Sequence, residues 1–250
     1  MNLGLQNRRV LVSGGSRGIG KAIVQCFLDE GAQVAFCARS ASGVAEAEQA
    51  FGDRAFGAVV DVTQPAQVQH WIANAVQRLG GLDIIVPNVS ALAGGSDLDT
   101  WRKAFDTDLL GSVAMVQAAL PHLLQSDAAS VVLISSVSGR EVDMFAEPYG
   151  VLKAALLHYA KTLSARHAAD GIRVNSVSPG NVYFAEGVWG DIERNDPQTF
   201  AQSLAANPMG RMATPEEVAR ATVFLASPAA SFTTGTSLLV DGGLTKAVQF

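Results

Sequence analysis

Charge is what this chain has least of. Only 16% of its 250 residues are charged, and 18 lysines and arginines face 23 aspartates and glutamates. A net charge of −5 offers no basic surface to a phosphodiester backbone, so nucleic-acid binding is not expected. Cysteine is also scarce. Cys26 and Cys37 read as small core residues, one in a helix and one in a strand, a usage that fits a reducing cytosol. No run of about 18 uncharged apolar residues occurs, so no membrane span is expected. The first nine residues lack the apolar centre of a signal peptide, and the expected location is cytoplasmic. His70, His122, His158 and His167 share no ligand spacing, and no Cys/His/carboxylate cluster suggests a metal. What remains is a globular chain, 48% apolar, of a length that suits one large α/β domain.

What is present is an alternation. Strand-like runs occur at Arg9–Ser13, Ala32–Cys37, Ala58–Val62, Leu82–Val86, from Val131, at Ile172–Val177 and at Ser237–Val240. Helical patterns fall between them at about Ile19–Glu30, Pro65–Leu79, Thr100–Leu124 and Pro148–His167. Strands alternating with helices predict a doubly wound parallel sheet of Rossmann type, in a single domain over residues 1–250. The stretch at about 181–209 breaks the rhythm. It is rich in Gly, Asn, Asp and Pro yet carries Tyr183, Phe184, Trp189 and Phe200, and it reads as a lid over a substrate site, with an insertion packing on its own small core as the alternative.

Two places carry chemistry. The first is Gly14-Gly-Ser-Arg-Gly-Ile-Gly20, after the first strand and opening the first helix. Glycines there allow a tight turn, and the helix N-terminus favours a pyrophosphate. The second is Ser136 at a strand end, followed by Tyr149 and Lys153 on one helical face. A phenol of pKa about 10 is a poor acid or base at neutral pH, and a nearby cation lowers that value. A hydroxyl beside it can hold a carbonyl oxygen while the phenol gives or takes the proton. The end of the second strand carries Ala38-Arg39 where a carboxylate would bind an adenosine 2′-hydroxyl, and Arg17 lies in the glycine turn. Two guanidiniums there suit a 2′-phosphate, so NADP(H) is expected over NAD(H).

With these residues in place the whole chain resembles the short-chain dehydrogenase/reductase family, near its 3-oxoacyl-(acyl carrier protein) reductase-like group. The likeness rests on the glycine turn, Asp61-Val62, Ser136 thirteen residues before Tyr149-x-x-x-Lys153, Asn175 with Pro179-Gly180, Gly210-Arg211 with Pro215-Glu-Glu-Val218, and Val240-Asp-Gly-Gly243. It implies that Ser136 holds the substrate oxygen, Tyr149 is the acid/base, and Lys153 binds ribose and lowers the Tyr149 pKa. It implies cofactor contacts from Gly14, Ser16, Arg17, Gly18, Ile19, Gly20, Arg39, Asp61, Val62, Asn88, Pro179, Gly180 and Val182. It implies a ketone or secondary alcohol substrate, such as a 3-oxoacyl or other apolar carbonyl compound, and a homotetramer. A non-catalytic nucleotide-binding protein of the same fold is the alternative. Three departures from the family pattern stand out: Pro87-Asn88-Val89-Ser90 after the fourth strand, Phe184 where a threonine often meets the nicotinamide, and Asp108 at the position of the usual catalytic asparagine.

Overall fold

Strands β1 (Arg9–Ser13), β2 (Gln33–Ala38), β3 (Ala55–Val59), β4 (Ile84–Val86), β5 (Ser130–Ile134), β6 (Arg173–Pro179) and β7 (Ser237–Val240) form one sheet in a computed structural model that describes residues 2–143 and 147–248. The order is β3-β2-β1-β4-β5-β6-β7, and every neighbouring pair is parallel. This is the doubly wound architecture expected from the alternation.

The sheet is covered on both faces, and its central strands are apolar without a break for that reason. Side chains alternate between the faces along each strand. Val10 and Val12 of β1 join one core with Ile23 and Phe27 of helix α1 (Gly18–Asp29) and Val218 and Val223 of a C-terminal helix over Pro215–Ala226. Leu11 between them faces the other core, with Trp71 and Ile72 of a helix over Pro65–Leu79 and Met115 and Val116 of one over Gly111–Leu123. Both cysteines are packing residues. Burial pushes the Cys37 thiol up to about 12 and that of Cys26 to about 11.

Chain direction across the sheet reverses at β1 and β4, which lie side by side although two strands separate them in sequence. The carboxyl ends of β1 and β4 therefore flank the crevice where ligands of such sheets bind.

Several boundaries differ from the periodicity. β3 lies at Ala55–Val59, not 58–62. The Asp61 carboxylate accepts hydrogen bonds from the backbone N–H of Thr63 (3.0 Å) and its hydroxyl (2.8 Å), so Asp61 makes a turn and not a strand. Helix α2 (Ala41–Phe51) was not evident; Ser40 caps it by accepting from the Gly43 N–H at 3.2 Å. After α3 (Pro65–Leu79), the helical region expected at about 100–124 is made of three pieces. They are α4 (Leu98–Ala104), a π-helical turn over Phe105–Leu110, and α5 (Gly111–Leu123). Helix α6 is Glu147–His167. The stretch at 181–209 is not a bare loop: it folds into α7 (Val188–Asn195) and α8 (Pro197–Ala206) before α9 (Pro215–Ala226). Tyr183 stacks edge-on to Phe200 at 5.9 Å within this segment. Among the described residues no helix is long and apolar enough to cross a membrane.

The lower end of β4 is tied by Asp83, only 1% exposed. Its carboxylate accepts from Arg9 N–H and Nε (both 2.9 Å), from Arg9 Nη2 (2.7 Å) and from the Ser126 hydroxyl (2.6 Å). Burial alone raises its pKa, but the Arg9 and Ser126 bonds outweigh burial and hold it below the ordinary 3.8. A depressed carboxyl contributes stability that is complete above its unfolded value and lost as pH falls through the folded one. Asp83→Ala is expected to lower the unfolding free energy by about 2–4 kcal/mol at pH 7, since it strands a partly buried guanidinium. Urea unfolding should show that difference shrinking below pH 4.

Candidate active site

The glycine turn is the first component. Gly14 and Gly18 adopt φ of +73° and +52°, which L side chains rarely hold. Gly20 is constrained differently: a Cβ there would lie 2.0 Å from the Gly14 carbonyl oxygen. Gly14 and Gly15 donate to the Cys37 carbonyl at 2.8 and 3.1 Å, fixing the turn to the end of β2. Asn88 braces it from the other side, its N–H donating to Ser13 Oγ at 3.0 Å and its amide to Ser13 O at 3.1 Å. The family resemblance implied a place for Asn88 beside the adenine ribose or the sheet edge, and its bonds to Ser13 lie at that edge. Only the tertiary approach of β4 to β1 reveals the brace.

The remaining dinucleotide candidates lie along the same edge. Arg17 and Arg39 are both exposed, and Ala38 ends β2 with no carboxylate. Val62 is buried, and a Cβ on Gly111 would meet its side chain at 3.0 Å. Gly180 follows β6, donating to Val240 O at 3.0 Å, and Val182 is buried and bridged to Ala213. Phe184 packs its ring onto the glycine turn: a Cβ on Gly18 would lie 2.6 Å from it, and so would one on Gly187. Trp189 is buried.

The second component forms after β5. Ser136 leads into a 3-10 turn over Val137–Gly139 that lies against α6. Two glycines permit the approach. A Cβ on Gly139 would sit 2.7 Å from the Lys153 backbone, and one on Gly150 would sit 2.8 Å from Ser138 O. The Ser135 hydroxyl adds a tie to Lys153 O at 2.8 Å. The result brings Ser136, Tyr149 and Lys153 together, as their spacing suggested. Ser136 and Tyr149 share a hydrogen bond. The Lys153 ammonium lies 5.6 Å from the centre of the Tyr149 ring and donates to Ile134 O at 3.2 Å. Residues 144–146, just before α6, lie outside the described residues.

The electrostatics are those of a buried site. Burial pushes the Tyr149 phenol up to about 12; the Ser136 bond draws it back, while the carboxylates of Asp108 and Asp143 push it further. Lys153 is 2% exposed, and burial lowers its pKa while Asp108 raises it. The phenol is therefore protonated at neutral pH. Asp108 sits fully buried in the π-helical turn. Its Oδ1 accepts from the Ala91 N–H at 2.8 Å, pinning the loop after Pro87, whereas its buried Oδ2 has no hydrogen-bond partner among the described residues. Its backbone carbonyl accepts from the Ser112 hydroxyl at 2.9 Å. Ser90, another departure, accepts the Leu92 N–H at 3.2 Å and so shapes the same loop. No group of three or more His, Cys, Asp or Glu suited to a metal occurs among the described residues.

Comparison with known proteins agrees with this geometry. The family model described as enoyl-(acyl carrier protein) reductase matches residues 14–245. Isoepoxydon dehydrogenase of Penicillium expansum is 38% identical, covering 100% of this chain and 99% of its own. L-fucose dehydrogenase of Mus musculus is 38% identical over 94% of this chain and 87% of its own. A solved structure titled as that of gox2181 superposes with a TM-score of 0.89 at 30% identity, covering 97% of both chains. Similarity of this extent, on this sheet and with these motifs in order, shows that the chain belongs to the short-chain dehydrogenase/reductase family, oxidoreductases that use a nicotinamide dinucleotide.

Proposed function

We propose that this protein is an NADP(H)-dependent oxidoreductase that interconverts a ketone and a secondary alcohol, with Tyr149 as acid/base. The observation that carries the reading is the hydrogen-bonded Ser136–Tyr149 pair with the Lys153 ammonium beside the phenol ring. A positioned phenol and hydroxyl at a strand end suit proton transfer at a carbonyl oxygen.

The glycine turn fits a dinucleotide. Glycine at 14, 18 and 20 puts no Cβ of the turn itself between the backbone and a pyrophosphate at the start of α1, with the Phe184 ring lying against Gly18. When bound, the nicotinamide supplies the hydride. The protein's part is positional: Ser136 holds the substrate oxygen, Tyr149 gives it a proton or takes one, and Lys153 keeps a positive charge beneath the phenol. Asp108 supports that charge and anchors the loop through Ala91. In this reading the segment at 181–209 closes over the substrate, with Phe184 already on the glycine turn.

On substrate, the relatives are named for isoepoxydon, L-fucose and cis-4-hydroxycyclohexanecarboxylate. Those names favour a hydroxylated ring compound over a 3-oxoacyl chain. Homotetramer assembly is supported by apolar residues exposed on outer helical surfaces, Leu110 at 44% and Val151 at 54%. A monomer mass in light scattering would refute it.

Cofactor choice is read by measuring the binding of both dinucleotides. Wild type is expected to bind NADP(H) more tightly, and Ala38→Asp/Arg39→Ala to reverse the order. Tighter NAD(H) binding by wild type overturns the assignment.

The reaction is read by reduced-nicotinamide absorbance against a panel of ketones and cyclic alcohols. Tyr149→Phe should lower turnover about 10²–10⁴-fold while retaining cofactor binding. Activity within about threefold of wild type would move the acid/base elsewhere. With the same substrate, Asp108→Asn removes a carboxylate that raises the Tyr149 pKa, so the limb reporting that phenol should move to lower pH. Superimposed profiles would show that Asp108 does not tune the site.

A further inference from the structure

The dinucleotide crevice runs across the carboxyl edge of the sheet. Arg39 follows β2 on the adenine side, the glycine turn follows β1, and Ser136 follows β5 at the reacting end. A dinucleotide stretched between those ends must pass the N-terminus of α1, which no side chain caps. One side chain crosses that passage. Phe184 lies just past β6, and β6 stands three places from β1 in the sheet, roughly 14 Å away at the usual strand spacing. Its ring still reaches the turn: a Cβ on Gly18 would lie 2.6 Å from Cζ and 2.9 Å from Cε1.

We propose that the Phe184 ring is a gate on the pyrophosphate position, and that a dinucleotide binds only after the ring has swung off Gly18. This rests on the dinucleotide part of the function proposed above and adds to it a control on cofactor entry.

The ring and a pyrophosphate exclude each other at this point. An anion at the start of α1 is held by the backbone N–H groups of its first turn, at a hydrogen-bond distance of about 2.9 Å. Gly18 is the first residue of that helix, and the ring edge lies in van der Waals contact with it. A ring edge accepts no hydrogen bond, and it fills the space that a phosphate oxygen needs. The glycines that bare the turn to a phosphate bare it equally to the ring.

Two glycines form the seat. A Cβ on Gly187 would also lie 2.6 Å from Cζ, and the Gly187 N–H donates to Phe184 O at 3.0 Å. The ring is thus cupped between the glycine turn and the turn that opens α7. The stem below it is fixed separately: the Tyr183 N–H donates to Ala213 O and the Ala213 N–H to Asn181 O, both at 2.9 Å. The ring can leave Gly18 without breaking that pairing. Leaving exposes apolar surface that the seat covers, so the open form is the minor one. Contact is made by the far ring atoms, so a side chain that ends at Cδ stops short of the turn.

The test follows nicotinamide fluorescence as NADPH, or NADH where wild type prefers it, binds to wild type, Phe184→Ala, Phe184→Leu and Phe200→Ala. A minor open form lowers the apparent association rate constant and affinity by the open fraction. Phe184→Ala and Phe184→Leu should therefore associate at least about tenfold faster, as for an open form populated at 10% or less. Their dissociation rate should stay within about threefold of wild type, against the usual pattern in which substitutions act on dissociation. Phe200→Ala alters the same segment away from Gly18 and should associate like wild type. Thermal unfolding without dinucleotide checks that each variant is folded, and the leucine variant keeps an apolar side chain if the alanine variant is not. Unchanged association in both Phe184 variants overturns the proposal. Weaker binding through faster dissociation overturns it too, since it makes the ring a wall of the bound cofactor. Equal acceleration in Phe200→Ala moves the gate from Phe184 to the segment as a whole and overturns the assignment. If neither dinucleotide binds wild type or the Phe184 variants, the dinucleotide reading fails, and this one with it. Gated binding without turnover of any alcohol or ketone would overturn the proposed reaction and leave the gate standing.

Discussion

An ammonium buried to 2% exposure is the constraint on which the rest of the site depends. A charge taken out of water is costly unless polar groups replace its hydration. Lys153 has one carbonyl, that of Ile134, and the field of the Asp108 carboxylate. Both depend on other features of the fold. Ile134 must end β5 beside α6, and Asp108 must be carried inward by a helix that is locally unwound into a π-helical turn. Gly139 and Gly150 let the 3-10 turn press onto α6 closely enough to complete the enclosure.

That enclosure has a chemical consequence. It raises the Tyr149 pKa, so the phenol rests in its acid form. A site built this way needs a charge to make the phenolate accessible. In the proposed reaction Lys153 is placed to supply that charge. Two carboxylates, Asp108 and Asp143, and the Lys153 ammonium lie around one phenol, so its behaviour belongs to the group and not to any one residue.

The cofactor side of the crevice is organised by backbone contacts. Gly20 lies against the Gly14 carbonyl because no Cβ intervenes, and Asn88 reaches across from the end of β4 to hold Ser13. The proline at position 87 is compatible with this: its carbonyl still accepts from the Ile134 N–H at 3.1 Å, and only an N–H has been given up. Phe184 extends the arrangement by bringing the 181–209 segment onto the turn.

The sequence by itself determined the layers of this protein and where its reactive groups meet. Apolar runs of strand length alternating with helical patterns leave little choice but a parallel sheet covered on both sides, and a ligand crevice follows from that sheet. Tyr149 and Lys153 are four residues apart on one helix, so local geometry fixed their common face. Other features were not legible because they depend on contacts between distant segments. The π-helical turn at Phe105–Leu110 has an ordinary helical pattern, and only packing against α6 marks it. The Asp61 turn and the Ser40 cap are side-chain bonds that periodicity does not report. The Ser138–Asp143 link spans a turn whose path is set by its contact with Lys153 and Ala154. Periodicity records which face of an element is buried. Which buried polar group meets which is decided only when the elements close on one another.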